Sequence, residues 1–361
     1  MGFDRDIAHI ACGAALMFAA VICISLYRQR SRNAIVRMLF GAMVLFALML
    51  VKDIVAEAFR YGENYEWVYF SHTLELFWIP AVLAFNFSVI SPQWRGRAFL
   101  FPPFVLLAAV IVIFPAEAVY YASLAFAALF AAAGFCITLA ATVRYNRYVN
   151  DNYSDSSNKY VTWVRGVNII FIFWYIFSAV TMTLYDNWYF DAAKYMIDIG
   201  VWSVVYFYSI RHKVIDDLPD MLYLNLARRP QAEVIVSGAV PEPHADSLMY
   251  KIYACFDVEK PYLNPDLTVN DLAAAVNSNR TYISKVINNR TGATFLQFVN
   301  RYRIRHATEL INDSENNRFT LENIAHQSGF TSTTTFYNIF RKEKGCTPRE
   351  YLRKINLSPN D

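Results

Sequence analysis

The sequence predicts an all-α protein in two parts, a seven-transmembrane-helix bundle followed by a double helix-turn-helix domain. Three observations carry this prediction. Apolar segments of bilayer-spanning length fill residues 1–213, charged residues recur every few positions beyond Val214, and one helix-turn-helix pattern occurs twice between residues 246 and 356. Over 361 residues, 56% are hydrophobic and 17% are charged, a balance that argues against an ordinary soluble domain. The net charge of +3 is too small to imply nucleic-acid binding by itself. The five cysteines form no CxxC or Cys/His spacing, so neither a metal site nor a disulfide framework is expected, and no cofactor is implied.

A helix needs about 20 apolar residues to cross about 30 Å of hydrocarbon, because its backbone groups must be satisfied internally. Seven segments qualify: residues 7–27, 34–58, 67–91, 98–120, 121–143, 163–185 and 193–211. The first is read as a span and not as a cleaved signal. Asp4-Arg5-Asp6 ahead of it is not net basic, and Arg28, Arg30 and Arg32 follow the apolar run instead of preceding it. With the N-terminus outside, Arg28, Arg30, Arg32, Arg37, Arg95, Arg97, Arg144, Arg147, Lys159, Arg165, Arg211 and Lys213 all fall in the cytoplasm. Only Arg5, Lys52, Arg60 and Lys194 fall on the outer side. That asymmetry is the positive-inside signature. An odd number of spans then delivers the C-terminal half to the cytoplasm. The polar run 150–159 is a cytoplasmic loop, and residues 214–245 are a linker with a short helix expected near 218–226.

The domain at 246–361 shows helical periodicity with start and stop signals. A helix over Leu248–Glu259 stops before Pro261. Thr268 caps Val269–Val276, with Asp271 at the capping-box position. Asn277-Ser278-Asn279 turns into a second helix, Arg280–Asn289, ended by Gly292. In the repeat, Thr320 precedes Leu321–Ser328, Gly329-Phe330-Thr331 turns, and Thr333–Lys344 ends at Gly345. Ala273 corresponds to Ala325, Ile283 to Phe336, Ile287 to Phe340 and Gly292 to Gly345. The small alanines permit close helix approach, while Ile283 and Phe336 fill the wedge. The stripes place Tyr282, Ile283, Val286 and Ile287 inward, and likewise Phe336, Ile339 and Phe340. Arg280, Thr281, Ser284, Lys285 and Asn288 face outward on the first unit. Thr333, Thr334, Tyr337, Asn338 and Arg341 do so on the second.

Residues 248–354 resemble the DNA-binding domain of the AraC/XylS family of bacterial transcription regulators. The motifs are Arg303-Ile304-x-x-Ala307, Leu321-x-x-Ile324-Ala325, Gly329-Phe330, Phe336-x-x-x-Phe340 and Gly345-x-Thr347-Pro348-x-x-Tyr351. The resemblance implies two helix-turn-helix units joined by a long helix, here Thr294–Asn312, each entering a major groove on one face of double-stranded DNA. At about 1.5 Å per residue that helix is comparable with the ~34 Å between successive grooves. It also implies base contacts from Arg280, Thr281, Ser284 and Lys285, and from Thr333, Thr334 and Asn338. Asn suits adenine, Arg and Lys suit guanine, and Thr suits a thymine methyl. Arg341, Lys342 and the run Arg301, Arg303 and Arg305 are expected to meet phosphate or solvate a helix face. The membrane half does not resemble the soluble sugar-binding domain of the founding members.

Ionisable groups inside spans cost about 2.5–3.5 kcal/mol each and need a reason. Lys52, Asp53, Glu57, His72, Glu75 and Asp198 all fall in the outer third of the membrane. Asp53 and Glu57, and His72 and Glu75, share helix faces. Three readings stand side by side: a structural ion cluster pairing Lys52 with Glu75 or Asp198, a sensing pocket open to the outside, and a metal site from His72, Glu75 and Glu57, which no further ligand pattern supports. Asn86 and Asn168 are expected to be interhelical hydrogen-bond partners. Span 7 lacks a lysine between Tyr195 and Ile210 for a retinal Schiff base, and no HExxH or GxSxG motif argues for an enzyme. The sequence therefore implies a membrane-bound one-component transcription regulator, with promoter DNA and lipid as partners, signalled by a small molecule or another membrane protein, and acting as a homodimer. The alternatives are a transporter with a regulatory tail, or an anchor docked to a partner.

Overall fold

The computed structural model describes residues 2–29, 34–58, 65–92, 94–156, 158–184, 188–215, 242–313 and 320–357. Among these residues the chain is helical, with one isolated antiparallel bridge between Tyr153 and Thr268. It divides into two compact units. One comprises Met1–Tyr145 with Val161–Leu224, and the other Asn146–Tyr160 with Asn225–Asp361. The short helix expected near 218–226 lies outside the described residues.

The first unit contains α1 (Gly2–Gln29), α2 (Ala34–Ala58), α3 (Tyr65–Glu75), α4 (Trp78–Ile90), α5 (Pro102–Ile113), most of α6 (Glu117–Asn152), α7 (Thr162–Leu184) and α8 (Trp188–Arg211). Five stretches are long and apolar enough to cross a membrane: Asp6–Gln29, Ala34–Val55, Tyr69–Ile90, Gly96–Ile113 and Glu117–Asn152. Thr162–Phe177 is a shorter apolar helix, and α8 carries Asp191, Lys194, Asp198 and Arg211. The third apolar stretch is two helices and not one. Pro80 has no N–H to bond the Leu76 carbonyl four residues back, and its ring crowds that oxygen. The chain turns there with shorter-range bonds from Leu76 N to Thr73 O and from Ile79 N to Leu76 O. Pro115 divides the next two segments earlier than the hydropathy alone placed the division, and α6 runs on to Asn152.

Packing explains the composition. On α1 the small residues Ala8, Ala11, Ala15 and Ala19 face inward against α2 and α8, while Ile10, Met17, Val21 and Ile24 face out. Every residue of α4 is buried, which suits a helix that is apolar all round. Across the bundle the large side chains Phe99, Leu129 and Phe173 are 80%, 73% and 69% exposed. Asn86 donates to Asn168 at 2.8 Å between α4 and α7, fully buried, as their polarity in an apolar setting demands.

The second unit is built on α9 (Glu242–Val258), α10 (Val269–Ala275), α11 (Arg280–Thr291), α12 (Phe295–Asn312), α13 (Leu321–Gln327), α14 (Thr333–Lys344) and α15 (Pro348–Leu357). It has two cores. Phe256, Leu272, Ile283, Ile287, Phe295 and Phe298 form one, and Ile304, Ala307, Ile324, Phe330, Phe336 and Phe340 the other. The α12 helix contributes to both. Residues 146–160, which include the run 150–159 expected to be a cytoplasmic loop, pack into this unit, with Val149, Ser154, Asp155 and Lys159 buried.

Candidate nucleic-acid interface

Each helix-turn-helix is assembled by local signals. Thr268 accepts from the Asp271 N–H while the Asp271 carboxylate accepts from the Thr268 N–H, a reciprocal capping box that starts α10. In the repeat, Thr320 accepts from the Asn323 N–H. Asn279 and Ser332 cap α11 and α14 by accepting from Tyr282 and Thr335. Ile283 and Phe336 are both fully buried in their wedges. Gly329, at φ 84°, makes the second turn possible. A Cβ there would stand 2.5 Å from the Tyr262 carbonyl oxygen.

The candidate DNA-reading side chains lie on α11 and α14. Arg280, Thr281 and Lys285 are exposed and Ser284 is half-buried; Thr334, Asn338 and Arg341 are exposed and Thr333 is half-buried. Two stripe assignments need correction. Tyr282 is 37% exposed and does not belong to the buried stripe. Tyr337, expected outward, packs against the second core through its ring and touches Phe336 edge-on.

The third correction concerns Arg303. It meets no phosphate, because only 1% of it is exposed. Its Nε donates to the Tyr262 carbonyl at 2.7 Å, Nη1 to the Ser154 carbonyl at 2.8 Å, and Nη2 to the Asn264 carbonyl at 2.8 Å and the Ser154 hydroxyl at 3.0 Å. Burial pushes the guanidinium pKa down to about 10, opposed by the nearby Asp155 and Asp266 carboxylates, so it stays charged at neutral pH. Arg305, by contrast, is exposed and pairs with Asp257 and Glu309. Sequence gave no means to separate these arginines, since the fork acts on acceptors that are distant in the chain.

Segment 146–160 touches two of the candidate DNA-reading side chains. The Ser284 hydroxyl donates to the Asp151 carbonyl at 3.2 Å, and Arg280 Nη1 reaches the Tyr148 hydroxyl at 3.5 Å. Thr331, in the turn before α14, donates to the Asp155 carboxylate at 2.8 Å. The Ser154 amide donates to the Leu267 carbonyl at 3.0 Å. A cleft of about 540 Å³ lies between Asn150, Ser156, Tyr160 and the side chains of Thr335, Asn338 and Lys342.

In the first unit Lys52, Asp53, Glu75 and Lys194 form a connected ion network. Lys52 bonds Asp53 at 2.8 Å, Glu75 at 3.2 Å and Ser71 at 3.0 Å. Lys194, expected from sequence at a span end, lies 3.5 Å from the other Glu75 oxygen. Tyr195 donates to Asp53 at 3.2 Å, and His72 Nδ1 lies 3.2 Å from the Tyr120 hydroxyl. Asp198 is buried, and the Glu57 side chain lies outside the described residues. No group of three His, Cys, Asp or Glu suited to a metal occurs among the described residues.

Comparison with known proteins places the C-terminal part. Residues 272–354 match the helix-turn-helix domain family. The regulatory protein PocR of Salmonella typhimurium is 33% identical over 126 residues, which is 35% of this chain and 39% of that protein. The melibiose operon regulatory protein of Escherichia coli K12 is 32% identical over 90 residues, 25% of this chain and 28% of that one. The TCP pilus virulence regulatory protein of Vibrio cholerae is 32% identical over 91 residues, covering 24% and 32%. The chain thus spans between about a quarter and two fifths of the length of these relatives. A crystal structure of a DNA-binding transcriptional dual regulator from Escherichia coli K-12 aligns with 30% of this chain at 20% identity and TM-score 0.26. The C-terminal region is an AraC-type helix-turn-helix domain, and its relatives are transcription regulators.

Proposed function

We propose that the chain is a membrane-anchored transcription regulator. Seven spans place its N-terminus outside and its helix-turn-helix domain in the cytoplasm, where it reads promoter DNA. The observation that carries this is the pairing, in one polypeptide, of a double helix-turn-helix with a bundle whose apolar side chains face outward. Surfaces such as Ile10, Leu129 and Phe173 are unsuited to water and suited to lipid. The lysine and arginine asymmetry of the loops sets the orientation.

On DNA, Arg280, Thr281, Ser284 and Lys285 read one major groove, Thr333, Thr334 and Asn338 read the next, and Arg341 neutralises phosphate. The outer network of Lys52, Asp53, Glu57, His72, Glu75, Asp198 and Lys194 receives the signal, because charges held in low dielectric make any change of pairing energetically large. Span α8, which carries Lys194 and Asp198, leads toward the cytoplasmic linker. A homodimer presents paired domains to adjacent sites.

The test is selection of bound duplexes from a random-sequence pool by the full-length protein. Asn338→Ala then costs about 1–3 kcal/mol and relaxes preference at one base position. Arg341→Ala weakens binding to all sequences and reduces the salt slope by about one unit. A reversal of these two behaviours contradicts the assignment, and failure of the chain to retain any duplex contradicts the function.

A further inference from the structure

The contacts of segment 146–160 fall on groups that the DNA-reading assignment needs free. Arg280 and Ser284 sit one turn apart on the outward side of α11, and both engage the segment, through the Tyr148 hydroxyl and the Asp151 carbonyl. Asn338 of α14 shares a cleft with Asn150, Ser156 and Tyr160. Between the two recognition helices the segment is fixed at three further points: the bridge of Tyr153 with Thr268, the Asp155 carboxylate on Thr331, and Ser154 on the buried Arg303 fork. Its own interior is braced as well, with Lys159 donating to the Asp155 carbonyl at 2.8 Å and lying over the Tyr153 ring.

We propose that the DNA-reading side of the helix-turn-helix domain is also a binding site for this chain's own segment 146–160, so that the segment and DNA compete. Two recognition helices in successive major grooves have the intervening phosphate backbone pass between them. That is the space the segment fills. The single donor of the Ser284 hydroxyl is spent on the Asp151 carbonyl, and Nη1 of Arg280 is turned toward the Tyr148 hydroxyl. The segment also adds the carboxylates of Asp151 and Asp155 where DNA brings its own negative charge. Release is favoured by any event that draws the segment away, since residues 146–152 of the segment are the end of helix α6. The inference rests on the assignment of Arg280, Ser284 and Asn338 to the reading face, and it adds an off state to the proposed regulator.

The experiment uses the full-length chain in lipid nanodiscs, with duplexes selected from a random-sequence pool as the probe. Tyr148→Phe/Ser154→Ala/Asp155→Ala removes three anchoring side-chain groups without touching the reading face. Apparent affinity rises about tenfold or more in this variant, as expected when several hydrogen bonds that hold a competing state are lost. Hydrogen exchange of the wild-type chain gives an independent readout: the Ser154 amide, bonded to the Leu267 carbonyl, loses protection when the selected duplex is added. Equal or weaker binding by the triple variant, with α10–α15 exchanging as in wild type, overturns the proposal and leaves DNA reading intact. Retained protection of Ser154 in the DNA-bound wild type overturns it whether or not the variant folds. If neither chain retains a duplex, the regulator reading fails and the competition fails with it.

Discussion

Replacing Arg303 with alanine tests the internal architecture of the helix-turn-helix domain. The side chain is 1% exposed and satisfies three carbonyls and one hydroxyl, drawn from Tyr262, Asn264 and Ser154. Hydrogen bonds to charged groups contribute about 1.5–3 kcal/mol each, and they are not additive around a single guanidinium. Part of the gain is offset by desolvation, which is also what lowers the pKa of the group to about 10. Alanine leaves the Tyr262 and Ser154 carbonyls without this donor, while the Asn264 carbonyl keeps the Leu267 amide and the Ser154 hydroxyl keeps the Pro265 carbonyl. It also opens a cavity beside Phe330, over whose ring the guanidinium lies at 5.7 Å. The net loss is about 3–5 kcal/mol, at the upper end for a single substitution. Exposed Arg301→Ala, a chain neighbour of the same type, costs no more than about 0.5 kcal/mol. Pulse proteolysis of the full-length protein in micelles across a urea series reads the stability of the C-terminal domain directly. A loss below about 1 kcal/mol for Arg303→Ala, or equal losses for both variants, refutes the buried-fork account.

Two further substitutions probe the turn and the outer network. Gly329→Ala forces a Cβ onto a residue at φ 84° and within 2.5 Å of the Tyr262 oxygen, so the same proteolysis assay should show a loss of about 2–4 kcal/mol; a change under about 0.5 kcal/mol means the turn relaxes freely. Asp198→Asn should leave membrane abundance unchanged and abolish the response of a reporter to its signal. Reduced abundance with a normal response per molecule shows the network to be structural only.

The helix-turn-helix half was largely legible in the sequence because its information is local. Caps at Thr268 and Thr320, stop glycines at 292 and 345, and buried wedges at Ile283 and Phe336 are each set by neighbours within a few residues. The exceptions are instructive. Tyr282 and Tyr337 are amphipathic, so helical phase alone cannot decide whether the ring or the hydroxyl prevails. Arg303 looked like Arg301 and Arg305 because its partners, Tyr262 and Ser154, are separated from it by long stretches of chain. In the first unit, hydropathy located the apolar segments but not their interruptions. Pro80 lies three residues inside α4 and breaks the helix behind itself, at Leu76–Phe77, where the composition stays apolar. Lys194 escaped the ion network because it stands near a span end, where a loop cation is the ordinary reading. The docking of segment 146–160 had no sequence signal, since a polar run such as Asn150-Asp151-Asn152 reads equally well as a solvated loop.

A membrane-anchored regulator of this kind occupies the membrane and holds specific DNA at the same time. The most direct test of this proposal is cross-linking in living cells, followed by isolation of washed inner membranes, capture of the tagged full-length chain and sequencing of the attached DNA. The chain is expected in the membrane fraction, enriching discrete sites that share a two-part motif spaced by about one helical turn. Thr334→Ala/Asn338→Ala should abolish that enrichment without moving the protein from the membrane. Recovery of the chain from the soluble fraction, or DNA recovered without site preference and unchanged by the double substitution, would contradict it.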